Sequence, residues 1–164
     1  MLLAATLAFS PSGGLYLAGG GTTPPELVDR FLSACGKDGK IVVLPLASET
    51  ANGDGSVALL KEHGAQNVVQ FAVAAPTDAD RARLATMLDG ARGVWMPGGI
   101  QSRIRDRLGL AWARHVIGAR VHAGLNVYGT SAGAMIVSRT MIEGPGPGPD
   151  TAITGPGLGL TDWV

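Results

Sequence analysis

The sequence predicts a three-layer α/β sandwich built on a mostly parallel sheet. Three observations carry that expectation. Short apolar, β-branched runs alternate with stretches whose apolar residues recur every three or four positions. One of those runs, Ile41-Val42-Val43-Leu44, is apolar throughout, as a strand covered on both faces should be. Gly129-Thr130-Ser131-Ala132-Gly133 stands between the apolar run Leu125-Asn126-Val127-Tyr128 and the apolar stretch Ala134-Met135-Ile136-Val137. Strand, G-x-S-x-G, helix is the context of a nucleophile elbow, and the alternation implies right-handed crossovers with helices on both faces.

Leu15-Tyr16-Leu17-Ala18 reads as the first strand, running into Gly19-Gly20-Gly21, which bring backbone close to something. Pro24-Pro25-Glu26 suits a helix start, since proline fits the first turn and an acid fits the dipole. Leu27, Val28, Phe31, Leu32 and Cys35 give that helix its core face, and Gly36 ends it. Ile41–Leu44 then leads through Pro45 into Ala47-Ser48-Glu49-Thr50, a polar loop on the ligand-facing edge of a parallel sheet. Asp54 to His63 is a helix stopped by Gly64, with His63 expected as a solvated cation at its C-terminus.

Asn67 to Val73 is expected as a strand. Thr77 with Asp80 resembles a capping box for a helix whose Leu84, Met87 and Leu88 face inward. Gly93-Val94-Trp95-Met96 is the fourth strand, ending in Pro97-Gly98-Gly99. The next helix carries Ile100, Ile104 and Leu108 inward, with Arg103, Arg105 and Arg107 read as a solvated face. Gln101 and Arg103 sit just past a strand end, where a ligand is in reach. Trp112 to His122 is a further helix, and His115 and His122 on it read as surface or packing residues. The loop around Asp54, Ser48, Gly98-Gly99 and Ser131 should converge on one edge. Gly144 to Pro149 is expected to be a structureless loop.

The elbow carries the chemistry. Its glycines avoid collisions on a sharp turn that lifts the Ser131 hydroxyl clear of the sheet. Free N–H groups at the following helix start, first that of Ala132, can hold a developing oxyanion. The plainer reading is a small-residue helix start. Other chemistries have less support. Thirteen basic residues balance thirteen acidic ones, so neither a nucleic-acid nor a membrane partner is implied. The single cysteine, Cys35, reads as a small buried hydrophobe, and no zinc-type cluster exists, so no metal and no cofactor are expected. Pro24 stands where the last glycine of a dinucleotide fingerprint would be, which leaves a nucleotide-binding reading resting on Gly19-Gly20-Gly21 alone.

Residues 1–14 are read as a leader. Met1 to Phe9 is apolar, too short to span a bilayer and without a basic start; as the tail of a signal peptide it would use Thr6-Leu7-Ala8 as a cleavage site. Export is favoured over cytoplasmic residence on that basis. Residues 15–164 are read as one domain, interrupted at its C-terminal end, where Thr161-Asp162-Trp163-Val164 looks like the start of another strand.

Four stretches occur in the order seen in cyanophycinase-like serine peptidases: Leu17 to Gly21, Ile41 to Ser48, Trp95 to Gln101 and Gly129 to Ala134. Gly155-Pro156-Gly157-Leu158-Gly159-Leu160 follows them in the same order. The chain thus resembles peptidase family S51, which includes dipeptidase E, over roughly residues 15 to 164. The resemblance implies a class I glutamine amidotransferase-like, flavodoxin-like fold. It implies Ser131 as nucleophile, an oxyanion hole from the N–H groups of Gly99 and Ala132, and substrate contacts at Gln101, with Arg103 and Ser48 nearby. It also implies hydrolysis of aspartyl or β-aspartyl peptide bonds, because cyanophycinases cut a β-aspartyl-arginine polymer and dipeptidase E releases N-terminal aspartate. A peptide with an acidic residue is therefore the expected partner, and a homodimer is an assembly it allows. Two departures stand out. Ile100 occupies a position where the family usually has an acid. The family's histidine lies in an Asp-x-His-Phe type segment after Gly-Leu-Gly-Leu, and Val164 falls about where that segment would begin. The expectations are a fragment of a longer reading frame, one part of a split enzyme, or a non-catalytic relative that binds ligand at the same edge.

Overall fold

A computed structural model describes residues 13–161. Its elements are β1 (Leu15–Ala18), α1 (Pro25–Cys35), β2 (Lys40–Val43), α2 (Asp54–Glu62), β3 (Val68–Gln70), α3 (Asp78–Leu88) and β4 (Ala91–Met96). There follow α4 (Gln101–Leu108), α5 (Leu110–His122), β5 (Asn126–Thr130), α6 (Ala132–Met135), β6 (Thr140–Pro145) and β7 (Ala152–Pro156). The first five strands form one parallel sheet in the order β1-β5-β4-β2-β3. The elbow strand β5 lies between β1 and β4, so the loops leaving both neighbours flank the residue that follows it.

Alternation along the strands sorts the core into two layers. Val42, Val94, Met96 and Val127 face α3, α4 and α5, packing with Leu84, Leu88, Ile104, Leu108 and Ile117. Ile41, Val43, Trp95 and Tyr128 face the opposite layer, with Val28, Phe31 and Cys35 of α1 and Leu60 of α2. In that second layer Trp95 and Tyr128 stack at 3.8 Å, and Phe31 meets both edge-on at 5.9 and 5.6 Å. Gly93 lets α1 come this near, since a Cβ there would stand 2.6 Å from Cys35 Sγ. Burial pushes the Cys35 thiol up to about 12, against a smaller opposing pull from Arg92, and it pushes the Tyr128 hydroxyl up as well.

Most element positions follow the sequence reading, and the differences have physical causes. Residues 13 and 14, assigned to a leader, are already tied into the fold. Gly13 N–H donates to Val121 O at 2.7 Å and Gly14 N–H to Asn126 Oδ1 at 3.0 Å. The rest of the leader, with its cleavage site, and residues 162–164 lie outside the described residues. β3 is shorter than Asn67–Val73, as suits an edge strand bonded only to β2. The capping box at Thr77 is present in full. Ile100 does not face the core: it precedes α4 and is 47% exposed.

The stretch after the elbow departs most. The helix there is a single turn, and the Gly/Pro-rich stretch is not structureless. β6 and β7 pair antiparallel from Thr140↔Pro156 to Pro145↔Ala152. Pro145 and Pro156 sit at strand ends, where a missing ladder donor costs least, and Pro147 and Pro149 lie in the tip between the strands. Thr151 closes the tip, donating from Oγ1 to Gly148 O at 2.7 Å and accepting from Gly148 N–H at 3.0 Å.

Candidate active site

Ser131 directly follows β5 and holds φ 50°, ψ −114°, a backbone conformation that non-glycine residues rarely adopt. The glycines on either side are sterically required. A Cβ on Gly129 would lie 2.3 Å from Gly133 O, and one on Gly133 would lie 1.9 Å from Met96 O. Ser131 N–H donates to Ala18 O at 3.0 Å, so the end of β1 holds the turn.

Two glycine loops flank the hydroxyl. A Cβ on Gly20 would be 3.8 Å from Ser131 Oγ, and one on Gly98 would be 3.7 Å from it. Of the three glycines, Gly20 is the one that approaches the serine. Thr130 Oγ1 donates to Gly19 O at 3.1 Å and fixes that loop. Gly99 has φ 140°, and a Cβ on it would stand 2.4 Å from Ala47 O. Ile100 N–H donates to the same carbonyl at 3.0 Å, so the Pro97-Gly98-Gly99 corner is clamped on the loop after β2. Among the described residues, the N–H groups of Gly99 and Ala132 have no acceptor and Ser131 Oγ has no hydrogen-bond partner.

A cleft of about 360 Å³ opens at this edge, sharing Gly98 and Thr130 with the turn and lined also by Thr23, Ser48, Asn52, Ser56 and Trp95. Ser48 and Gly98 thus share one cleft, which reaches Thr130, the residue before Ser131; Ser131 itself is not in the lining. Asp54 is absent from the lining; it is held by Asn52 Nδ2 at 3.2 Å and Gln70 Nε2 at 2.7 Å at the start of α2.

The α4 arginines are not a solvated face. Arg107 donates to Leu46 O at 2.8 Å, Ser48 O at 2.6 Å and Glu49 O at 2.7 Å, which sets the shape of the loop carrying Ser48. Arg103 donates to Ala47 O at 3.4 Å. Arg105 pairs with Asp106 and with Glu143 of β6, and these acids, Asp106 foremost, hold its guanidinium above its ordinary value. Gln101 Nε2 donates to Ile142 O on the same hairpin. Runs of basic residues on a helix give no sign of carbonyl targets elsewhere in the chain, so these contacts were not legible.

The histidines lie elsewhere. His63 is not a free solvated cation: its Nδ1 is 2.7 Å from Asp29 Oδ1 on α1. His115 and His122 are exposed on α5, as read from the sequence, and line a separate cleft with Arg114 and Leu158 to Leu160. No described histidine hydrogen-bonds to Ser131. Among the described residues, no group of three or more His, Cys, Asp or Glu is placed to hold a metal ion, and no helix is long and apolar enough to cross a membrane.

Comparison with known proteins bears on what this edge is. The model of peptidase family S51 matches residues 15–164. The chain belongs to peptidase family S51. Two curated relatives of this S51 chain are cyanophycinases, from Trichormus variabilis (strain ATCC 29413 / PCC 7937) and from Nostoc sp. (strain PCC 7120 / SAG 25.82 / UTEX 2576). Each is 29% identical over 147 residues, covering 85% of this chain and 49% of the relative. The S51 chain thus spans about half the length of the curated relatives it matches. Among solved structures, a peptidase from an acI-B1 Actinobacterium superposes with a TM-score of 0.65 at 21% identity, over 91% of this chain and 65% of that one. A candidate peptidase E protein from Listeria monocytogenes EGD-e gives 0.67 at 21% identity, over 93% and 77%. At that identity the two structures speak to the fold, and they share the α/β architecture of the S51 chain.

Proposed function

We propose that this chain carries the nucleophile of a serine-type peptidase that hydrolyses aspartyl or β-aspartyl peptide bonds. The observation that carries the reading is Ser131 itself. It is held at φ 50° with an unpartnered hydroxyl, between loops that bring Gly20 and Gly98 close to it. A strained residue at a strand-to-helix turn is where functional strain concentrates. Membership of family S51 and the cyanophycinase relatives support the reaction class and the acidic substrate.

In this mechanism Ser131 Oγ attacks the scissile carbonyl carbon while a histidine from outside these residues accepts its proton. The carbonyl oxygen becomes an oxyanion and takes hydrogen bonds from Gly99 N–H and Ala132 N–H, the two donors without acceptors. The proton passes to the leaving amine, and the acyl group stays on Ser131. Water, deprotonated by the same base, then releases the acid. General-base assistance of this kind is worth roughly 10²- to 10⁴-fold. Gln101, Arg103 and Ser48 contact the substrate, the first two by exchanging their present carbonyl partners for its carboxylate.

A fluorophosphonate probe tests the nucleophile. It should label the full-length gene product at Ser131 and leave Ser131→Ala unlabelled, and the labelled protein should lose hydrolysis of aspartyl or β-aspartyl peptides. Labelling that persists in Ser131→Ala sinks the assignment. The second reading is a ligand-binding domain of the same fold without chemistry. It predicts no labelling, with an aspartyl peptide still raising the melting temperature.

A further inference from the structure

We propose that the cleft beside Ser131 receives an uncharged, hydrogen-bonding side chain of the substrate, an amide or a hydroxyl, on the residue flanking the scissile bond. This rests on Ser131 being the nucleophile, and it adds a second specificity to the acidic one.

The lining is the argument. Thr23, Ser48, Asn52, Ser56 and Thr130 supply three kinds of short neutral polar side chain, Leu59 and Pro97 add apolar surface, and no Lys, Arg, His, Asp or Glu lines the cleft. Trp95 is among the lining residues at 1% exposure, and its Nε1–H has no acceptor among the described residues. Ser48 Oγ is likewise buried without a partner. Both are lining residues whose polar atoms are left unmatched by the fold. Buried polar groups of this kind ordinarily have partners, and an indole N–H can only donate. A guest that satisfies them must therefore offer an acceptor. Ser48 Oγ can donate or accept, so a guest with both capacities matches the pair.

Charge decides against the other candidates. A carboxylate seated here would lose water with no cation to pair it, and an ammonium would find no carboxylate. An aliphatic side chain would leave Trp95 Nε1–H and Ser48 Oγ unmatched. The carboxylate-seeking groups stand on α4, at Gln101 and Arg103, outside this lining. The two specificities thus separate in space.

The experiment measures binding apart from turnover. Full-length Ser131→Ala protein is titrated calorimetrically with Asp-Xaa and Xaa-Asp dipeptides, in α and β linkage, where Xaa is Asn, Ser, Asp, Lys or Leu. Asn or Ser peptides should bind at least about tenfold more tightly than the Asp, Lys and Leu peptides of the same linkage, the discrimination expected from unmatched buried groups. Adding Trp95→Phe or Ser48→Ala should cut that preference to under about threefold. The Ser48 variant keeps the test valid if the Trp95 variant fails to fold. Equal or tighter binding of the charged or leucine peptides overturns the proposal, as does a preference that survives Ser48→Ala, or no binding at all. Fluorophosphonate labelling of the unmutated protein separates the two readings. Labelling without the preference sinks the cleft and spares the nucleophile, and the preference without labelling does the reverse.

Discussion

Replacing Ser131 by glycine should make the fold more stable while abolishing its chemistry. At φ 50°, ψ −114° the residue sits in a region that costs a side-chain-bearing residue about 1–3 kcal/mol. Ser131 Oγ makes no hydrogen bond within the described residues, so truncation to alanine forfeits no bond while retaining the Cβ that causes the strain. Glycine removes the Cβ and adds about 0.5–1 kcal/mol of unfolded-chain entropy. The difference leaves Ser131→Gly about 1 kcal/mol more stable than Ser131→Ala, or about 2–4 °C in Tm for a chain of this size. Urea denaturation of the three proteins, followed by far-ultraviolet circular dichroism, reads it directly. A Ser131→Gly midpoint at or below that of Ser131→Ala would refute the idea that the turn stores strain.

Other outcomes follow from single contacts. Gly133→Ala puts a Cβ 1.9 Å from Met96 O, a backbone atom that cannot step aside, and should cost about 3 kcal/mol or more; Gly19→Ala, with nothing within 4 Å, should stay within about 0.5 kcal/mol on the same urea curves. Arg107→Ala strips three carbonyls of their donor and should cost about 2–3 kcal/mol, with limited proteolysis detecting new cleavage in residues 46–49. Cys35 sets an alkaline limit. Its folded value of about 12 lies above the 9.0 of an exposed thiol, so above pH 9 the unfolded chain gives up this proton first. The Cys35 contribution is complete below pH 9 and falls as pH rises toward 12, by up to about 1.4 kcal/mol per pH unit. The wild-type stability should decline more steeply there than that of Cys35→Ala, and a thiol reagent should stay silent until the protein is unfolded.

How much of this was legible can be argued from particular residues. The five-stranded core was, because Ile41 to Leu44 and Gly93 to Met96 declare their burial through composition and the helices between them declare theirs through spacing. Ser131 was legible because a sharp turn admits few residue types on either side of it. The hairpin was not. Ile142 and Ile153 are exposed, so β6 and β7 lack the alternation that marks a half-buried strand, and glycine and proline mask what remains. Arg103 and Arg107 of α4 were misread for a related reason. Their partners are backbone carbonyls of residues 46–49, and a carbonyl has no letter in the sequence. Trp95 was read as a strand residue, correctly, but the want of a partner for its Nε1–H is a property of the packed state alone.

The single turn of α6 leaves carbonyls that a continuing helix would have satisfied, and a remote stretch of chain satisfies them instead. Leu158 N–H reaches Ile136 O at 2.6 Å, Leu160 N–H reaches Val137 O at 2.8 Å, and Gly159 N–H reaches Ser138 O at 3.0 Å. The backbone that follows Ser131 is therefore buttressed from the far side of the hairpin. A fused partner or crosslink at residues 157–161 would pull on residues 136–138, the segment that follows the turn.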